Sequence, residues 1–223
     1  MYSINKIIEV FNRVVEDYDK WYQQPMGRYV YKAELKALKY LLPKNGVGID
    51  YGGGTGIFSK ELLDEKYIIC IDPSINMVKK AVGREIDSIL GVMSLPPIRK
   101  KSIDFVFMIT VLEFLVDPLN DLMALKNVLK KDSVIIVMII NRESSWGKLY
   151  MDLAENGEPV LSMARFYNVS ETVEILERAG YSCEKIIGVL DNPPTIIPEG
   201  EPRIFEKNYE ECGAIFIKAK LSE

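Results

Sequence analysis

GIDYGGGTGIFSKELL, residues 48 to 63, carries the strongest structural signal in the chain. An apolar run ends at Asp50, glycines follow at the alternate positions 52, 54 and 56, and an amphipathic stretch begins near Ile57. A glycine loop between a buried strand and a helix N-terminus lets a ligand approach the backbone and use the free N–H groups of the helix. The segment therefore predicts a strand, a ligand-binding loop and a helix in succession.

On both sides of this segment, apolar runs with strand character alternate with helical patterns. The runs occupy residues 46–50, 67–72, 88–92, 103–110, 133–140, 183–190 and 213–221. Continuous apolar character with helices in between is typical of a parallel sheet that is covered on both faces. Amphipathic helical spacing over residues 4–22 and 31–41 precedes the first run and predicts an N-terminal helical cap.

Two later helices have recognisable end signals. Asp117 is followed by proline and is a candidate N-cap, and we expect this helix to end at Lys130 and Lys131, where a helix C-terminus favours cations. Ser170 is a candidate N-cap for a further helix that Gly180 would close.

The spacing of the glycines separates the ligand classes that use such loops. A Walker loop ends in Gly-Lys-Ser/Thr, but Gly56 is followed by Ile57 and Phe58. The dinucleotide pattern G-x-G-x-x-G is incomplete, because its sixth position is Ile57 or Ser59. An acidic residue, Asp50, stands where a pyrophosphate site would avoid negative charge. We therefore expect a ligand that carries a cation near Asp50.

These residues resemble the class I S-adenosylmethionine-dependent methyltransferases of the small-molecule type, whose first motif is D-x-G-x-G-x-G. Asp50, Gly52, Gly54 and Gly56 match it, and Asp72 follows 22 residues after Asp50, where a carboxylate can accept both ribose hydroxyls. The family's D-x-S-x-x-M continuation is matched at positions 72, 74 and 77. Residues 91–114 are similar to a further family stretch, but the family's Asp before Leu95-Pro96 has no counterpart.

The resemblance implies a cofactor site and leaves the catalytic group open. The residues expected to bind S-adenosylmethionine are Asp50, Tyr51, Gly52, Gly53, Gly54, Gly56, Asp72, Pro73, Met77, Val92, Met93 and Thr110. Glu113 and Tyr18 are candidate bases for an acceptor that must lose a proton, whereas a thiolate or free amine needs none. No metal is required by this chemistry.

Three other segments have competing interpretations. The aromatic residues Tyr18, Trp21 and Tyr22 either pack in the core or form a lid over the cofactor, as the resemblance implies. Residues 141–150 follow the fifth strand and are interpreted as a substrate loop. Residues 192–195, Asn-Pro-Pro-Thr, are interpreted as a proline loop and not as a base-methylation motif, because they do not follow the fourth strand and Thr195 cannot stack on a base.

The composition excludes several classes of function. The chain has 223 residues, no histidine and a net charge of −4, so imidazole catalysis is excluded and nucleic acid is a poor candidate partner. Apolar runs stay below the roughly 18 residues of a membrane span, and we expect neither signal peptide nor membrane anchor. The three cysteines, Cys70, Cys183 and Cys212, favour a reducing cytoplasm, with at least two of them buried.

The sequence thus predicts a single α/β domain over residues 1–223. Its parts would be a helical cap (1–42), a cofactor-binding half (43–140) and a substrate-side half (141–223). The expected fold is Rossmann-like, with seven mostly parallel strands, an antiparallel last strand and helices on both faces. The expected function is methyl transfer to a small molecule by in-line displacement. The alternatives are a non-catalytic regulatory module that binds S-adenosylmethionine and, more remotely, a nucleotide-dependent oxidoreductase; the sequence does not predict the oligomeric state.

Overall fold

The computed structural model describes residues 2–64 and 66–222. The strands are β1 Val47–Tyr51, β2 Tyr67–Asp72, β3 Asp87–Leu90, β4 Ile103–Ile109, β5 Leu129–Ile140, β6 Tyr181–Val189 and β7 Ala214–Leu221. The α-helices are α1 Ile4–Gln23, α2 Pro25–Leu41, α3 Ile57–Lys60, α4 Ile75–Val82, α5 Pro118–Leu125, α6 Ser145–Glu155 and α7 Val169–Arg178. Short 3-10 helices lie at Leu112–Phe114 and Leu161–Met163.

All seven strands form one sheet in the order β3-β2-β1-β4-β5-β7-β6. β7 runs antiparallel to β5 and β6, and the remaining neighbours are parallel. This topology confirms the predicted Rossmann-like sheet with an antiparallel last strand. The strand order reverses between β1 and β4, and such a switch point opens a crevice at the carboxyl ends of the strands.

Both faces of the sheet are buried, because successive side chains of a strand point to opposite sides. Val106 belongs to a core cluster that includes residues of α5 and α7, whereas its neighbours Phe105 and Phe107 belong to a second cluster that includes residues of α2. Helices therefore cover both faces, as predicted.

Helix α2 packs on one face of the sheet, whereas α1 lies at the carboxyl ends of the strands. α1 contacts α2 and α4. The side-chain oxygen of Asn12 accepts hydrogen bonds from the Ser74 hydroxyl at 2.8 Å and from the backbone N–H of Asn76 at 3.1 Å. These bonds fix the middle of α1 to the start of α4, so the helix lies above the loops that follow β1 and β2.

The predicted end of the fifth helix is wrong. α5 stops at Leu125, and Lys130 and Lys131 lie at the start of strand β5 and not at a helix C-terminus. Lys130 donates to the Asp104 carboxylate at 2.6 Å, and the Ser133 hydroxyl donates to the carbonyl of Ile103 at 2.7 Å. Contacts with the neighbouring strand therefore override the local helical signal.

Two further predictions need correction at helix starts. α7 is capped by Asn168 and not by Ser170, because the Asn168 side chain accepts from the Glu171 N–H at 2.9 Å while the Glu171 carboxylate accepts from the Asn168 N–H at 3.0 Å. The segment 141–150 is largely helical, since α6 begins at Ser145 after the N-cap Ser144.

The predictions about cysteines and the proline segment agree with the structure. Cys70 and Cys212 are buried, Cys183 is half-buried, and all three are free thiols. Residues 192–195 lie in a loop. In the ranges 2–64 and 66–222, no helix is long and apolar enough to cross a membrane.

Candidate functional site

A cavity of about 1000 Å³ lies between the carboxyl ends of β1, β2 and β4 and the helices α1, α2 and α6. Nine of the twelve predicted cofactor residues line it, namely Tyr51, Gly52, Gly54, Asp72, Pro73, Met77, Val92, Met93 and Thr110. Asp50, Gly53 and Gly56 do not line it. We call the part of the cavity that the nine lining residues form its strand end.

The glycine loop adopts a backbone that favours glycine. Gly52, Gly54 and Gly56 have φ values of 65°, 56° and 74°. A Cβ atom on Gly56 would lie 2.4 Å from the Ile86 side chain, whereas one on Gly54 would meet only the Met77 sulfur at 3.8 Å and otherwise face open space. Gly56 is therefore required for packing, and Gly54 exposes its backbone to the cavity.

Asp50 lies beneath this loop and faces away from the cavity. It is 2% exposed, and it accepts a hydrogen bond from the Ser59 hydroxyl at 2.7 Å. A Cβ atom on Gly53 would lie 2.6 Å from its carboxyl carbon, so the loop rests directly on Asp50. Burial raises the pKa of Asp50 to about 7. Asp50 therefore supports the loop. Because it does not line the cavity, a ligand cation in the cavity does not reach it.

Asp72 ends β2 and is the carboxylate of the strand end. It is 7% exposed, and its two oxygens accept from the backbone N–H groups of Gly54 at 2.9 Å and Ser74 at 2.7 Å. Burial raises its pKa to about 6, against the lowering effect of these two donors. The two bonds fix the carboxylate while each oxygen keeps a lone pair for a ligand hydroxyl.

Thr110 marks the end of β4 with an unusual backbone. Its φ of 51° lies in the left-handed region although it is not glycine, and its hydroxyl donates to the carbonyl of Ile109 at 2.7 Å. Residues held in such conformations cluster at ligand sites. The strain thus coincides with the wall of the cavity.

The opposite part of the cavity, which we call the helix end, contains a buried carboxylate that the sequence analysis missed. Glu34 of α2 lines the cavity, is 5% exposed, and its Oε2 atom has no hydrogen-bond partner among the described residues. Burial, with a smaller contribution from Glu113, raises its pKa to about 8. The available signal was an acidic residue four positions from Val30 and Leu38, on the apolar side of an amphipathic helix.

Three tyrosines and a tryptophan complete the helix end. Tyr18, Trp21 and Tyr22 of α1 and Tyr150 of α6 line the cavity. The Tyr22 ring also contacts the rings of Tyr18, at a centroid distance of 5.8 Å, and Trp21, at 4.9 Å. The predicted aromatic group is therefore both cavity wall and packing, and Tyr150 places the predicted substrate segment at the same cavity.

The two candidate bases differ in access. Tyr18 lines the cavity, and burial raises the pKa of its hydroxyl. Glu113 is 2% exposed and does not line the cavity, and its Oε1 atom accepts from the Ile140 N–H at 2.8 Å. Burial raises the Glu113 pKa to about 7. Glu113 is consequently placed to support the chain near Glu34, while Glu34 itself faces the cavity.

The charge of the cavity wall is one-sided. Its ionisable side chains other than tyrosines are all carboxylates, namely Asp17, Glu34, Asp72, Asp117, Asp121 and Glu158, and no lysine or arginine of the described chain lines it. Within residues 2–64 and 66–222, no cluster of acidic or cysteine side chains could hold a metal ion. The wall therefore favours cationic or neutral ligands over anionic ones.

Comparison with known proteins agrees with this geometry. A family model described as a methyltransferase domain matches residues 18–186. The crystal structure of a Thermotoga maritima S-adenosylmethionine-dependent methyltransferase, described as a possible histamine N-methyltransferase, is 30% identical with a TM-score of 0.87, covering 96% of this chain and 99% of that one.

Two proteins of uncharacterised function are also similar in sequence. One, from Methanocaldococcus jannaschii, is 34% identical over 174 residues, which are 78% of this chain and 82% of that protein. The other, from Mycobacterium tuberculosis, is 28% identical over 182 residues, or 79% of this chain and 61% of that protein. The family model matches residues 18–186, which are most of this chain, and the fold is shared with a methyltransferase of solved structure. The chain therefore belongs to the methyltransferase-domain family and is a class I S-adenosylmethionine-dependent methyltransferase.

Proposed function

We propose that this enzyme transfers the methyl group of S-adenosylmethionine to a small molecule that binds in the same cavity as the cofactor. One observation carries the proposal: the strand end and the helix end belong to a single cavity of about 1000 Å³. Pockets of about 300–1,000 Å³ suffice for a drug-sized ligand. The cavity therefore has room for the cofactor and for a small second molecule beside it.

The residues of the strand end fit S-adenosylmethionine. Gly54 has no side chain toward the cavity, so its backbone can approach the amino acid part of the cofactor. Asp72 offers a carboxylate that is already oriented by two backbone donors, which suits the two ribose hydroxyls. Val92 and Met93 line the cavity where the family's usual aspartate is missing, and we assign them to packing against the adenine.

When bound, S-adenosylmethionine supplies a methyl group that moves to an electron pair of the acceptor, in line with the sulfur–carbon bond, whose electrons stay on sulfur. The chain contributes chiefly by positioning, which can supply about 7–11 kcal/mol in well-oriented reactions. α1 covers the site and excludes water, and Tyr18 and Trp21 present aromatic faces that attract a cation.

The acidic wall favours a small acceptor over nucleic acid. Binding of a nucleic acid depends on lysine and arginine side chains that neutralise phosphates. No such side chain of the described residues lines the cavity.

A two-step experiment tests the proposal. Calorimetry should detect binding of S-adenosylhomocysteine, the demethylated product, to the purified protein, with weaker binding in Asp72→Asn. Incubation with isotopically labelled S-adenosylmethionine and a panel of small metabolites should then yield labelled small molecules by mass spectrometry. Label that enters only protein or RNA would overturn the small-molecule assignment, and lack of cofactor binding would overturn the whole proposal.

A further inference from the structure

We propose that the acceptor is an amine that binds as an ammonium ion against Glu34, and that the Glu34 carboxylate takes a proton from it before methyl transfer. This inference rests on the proposed function, because it requires an acceptor in the helix end of the cavity.

Glu34 is a buried carboxyl group, and one of its oxygen atoms has no partner among the described residues. This atom is Oε2, and the residue is 5% exposed. A buried carboxylate is unfavourable unless a charged or hydrogen-bonding partner satisfies it. Because Glu34 lines the cavity, a ligand ammonium group can supply this partner.

The side chains around Glu34 suit a cation. Burial raises the pKa of the Tyr18, Tyr22 and Tyr150 hydroxyls, and Glu34 lies close enough to each of them to raise it further. These hydroxyls can accept hydrogen bonds from an ammonium group, and the aromatic rings, with that of Trp21, attract positive charge. An aromatic wall around one carboxylate is the chemistry that recognises an organic ammonium ion.

No described cationic side chain of the wall competes for Glu34. Within residues 2–64 and 66–222, no lysine or arginine lines the cavity, and five further carboxylates do. An acceptor that bears a carboxylate or phosphate would meet repulsion without a compensating partner. A neutral acceptor would leave Glu34 without an ionic partner, so an amine satisfies the wall best.

The protonation of Glu34 follows from its surroundings. The ionisable groups that face it are Glu113, Tyr18, Tyr22 and Tyr150, and none of them is cationic. Since its pKa is raised to about 8, Glu34 is mostly protonated at pH 7 in the empty cavity. An ammonium ion lowers this pKa, so binding of the amine should release most of one proton to the solvent.

The proton step prepares the acceptor. An ammonium nitrogen has no free electron pair, so it cannot attack the methyl carbon. When the carboxylate of Glu34 takes the proton, the N–H bond breaks, its electron pair stays on nitrogen, and the proton resides on a Glu34 oxygen. No oxidant, reductant or metal takes part in this transfer.

The test compares probes of one shape and different charge. Calorimetry in saturating S-adenosylhomocysteine would measure the affinities of 2-phenylethylamine, 2-phenylethanol and 3-phenylpropanoate, and of butylamine, butanol and pentanoate. We expect at least one amine to bind tenfold or more tightly than its matched alcohol, and the acids to bind no better than the alcohols. Titrations of the amine at pH 7 in buffers of different ionisation enthalpy should report the released proton.

Two variants assign the preference to Glu34. Glu34→Gln should abolish the amine preference and the proton release while it retains the affinity for S-adenosylhomocysteine. Glu174→Gln, the same change at an exposed position of α7 that does not line the cavity, should retain both. The comparison of probes on the parent protein tests the inference even if Glu34→Gln does not fold.

The outcomes separate this inference from the proposed function. Parent protein that binds S-adenosylhomocysteine but binds the amines no better than the alcohols would overturn the amine assignment alone. An amine preference that persists in Glu34→Gln would overturn the role of Glu34. A parent protein that fails to bind S-adenosylhomocysteine would overturn the proposed function, and the inference would fall with it.

Discussion

Each end of the cavity holds a buried carboxyl group, but the two groups differ in their hydrogen-bond partners. Asp72 at the strand end accepts two backbone hydrogen bonds, and its pKa rises only to about 6. Glu34 at the helix end has an oxygen without a partner in the described chain, and its pKa rises to about 8. Backbone groups of the protein thus satisfy the carboxylate at the strand end, whereas the carboxyl group at the helix end depends on a ligand for its partner.

The largest expected effect is on stability at high pH. The folded pKa of Glu34, about 8, lies above the ordinary glutamate value of 4.5. Its contribution to stability is therefore fully present below pH 4.5 and is lost as the pH rises through 8. Glu34→Gln removes this loss and should gain about 1.4 kcal/mol of unfolding free energy for each pH unit in that interval, relative to the parent.

Urea unfolding from pH 5 to pH 9 measures this gain. At pH 9 the variant should exceed the parent by several kcal/mol, whereas at pH 5 the two should be similar. Glu174→Gln, at an exposed position, should follow the parent throughout. Parallel curves for the parent and Glu34→Gln would mean that Glu34 already has a partner, and the contrast between the two ends would be lost.

The matching change at the strand end should act mainly on ligand binding. In Asp72→Asn an amide N–H₂ replaces one acceptor oxygen, so the N–H of Gly54 or Ser74 loses its partner. We expect the affinity for S-adenosylhomocysteine to fall about tenfold to a hundredfold, because a charge-assisted bond is removed.

The pH dependence of binding gives an independent check on Asp72. Since the Asp72 pKa is about 6, the parent's affinity for S-adenosylhomocysteine should fall as the pH decreases below 6, where the carboxylate becomes protonated. Asp72→Asn should lack this decrease. An affinity that depends on pH in the same way in both proteins would assign the ribose contact to another group.

The same contrast explains what the sequence could predict. The strand end is built from residues close together in the chain, since Asp50, the glycine loop and Asp72 fall within 23 residues and lie at adjacent strand ends. Local spacing is sufficient to predict such a site. The helix end combines residues of α1, α2 and α6, and no local pattern links Tyr18, Glu34 and Tyr150.

The mistakes have the same origin. The predicted cation at Asp50 treated an acidic residue of the motif as a ligand contact, but the turn of the loop places that side chain underneath. Lys130 was assigned to a helix end from its position in the sequence, although its partner Asp104 is on the neighbouring strand. In each case a contact distant in sequence decides the role.

A smaller effect is expected from a methyl group added at the strand end. Gly54→Ala places a Cβ atom in the cavity, where only the Met77 sulfur lies within 4 Å, at 3.8 Å. Affinity for S-adenosylhomocysteine should fall about tenfold, the equivalent of about 1.4 kcal/mol. Because residue 54 has a left-handed backbone, the alanine should also lower the unfolding free energy by about 1–2 kcal/mol.

Gly157→Ala separates these two effects. Gly157 has a φ of 86°, a Cβ atom there would have no neighbour within 4 Å, and the residue does not line the cavity. This variant should lose a similar stability and no affinity. Equal affinities of the two variants, measured by calorimetry, would remove the glycine loop from the proposed cofactor contact.

The smallest effect concerns α1, which joins the two ends of the cavity. Its residue Asp19 accepts from the hydroxyl of Thr55 in the glycine loop at 2.6 Å and also pairs with Arg84, while Tyr18 and Tyr22 of the same helix face Glu34. Thr55→Val removes one bond of this connection and leaves the arginine in place. We expect a loss of about 0.5–1.5 kcal/mol in the local stability of α1.

Hydrogen exchange measures this loss directly. Exchange in residues 4–23 should become up to about tenfold faster in Thr55→Val, since about 1.4 kcal/mol corresponds to a factor of ten, and saturating S-adenosylhomocysteine should restore protection because it binds the closed form. Thr172→Val removes a comparable hydroxyl bond, to the Asn168 carbonyl at 2.8 Å, within α7 and should leave exchange in α1 unchanged. If α1 exchanges equally in parent and Thr55→Val, and saturating S-adenosylhomocysteine changes neither, the helix is a fixed wall and not a lid. The two ends of the cavity would then be joined by packing alone, and occupancy of the strand end would not affect the access of an acceptor to Glu34.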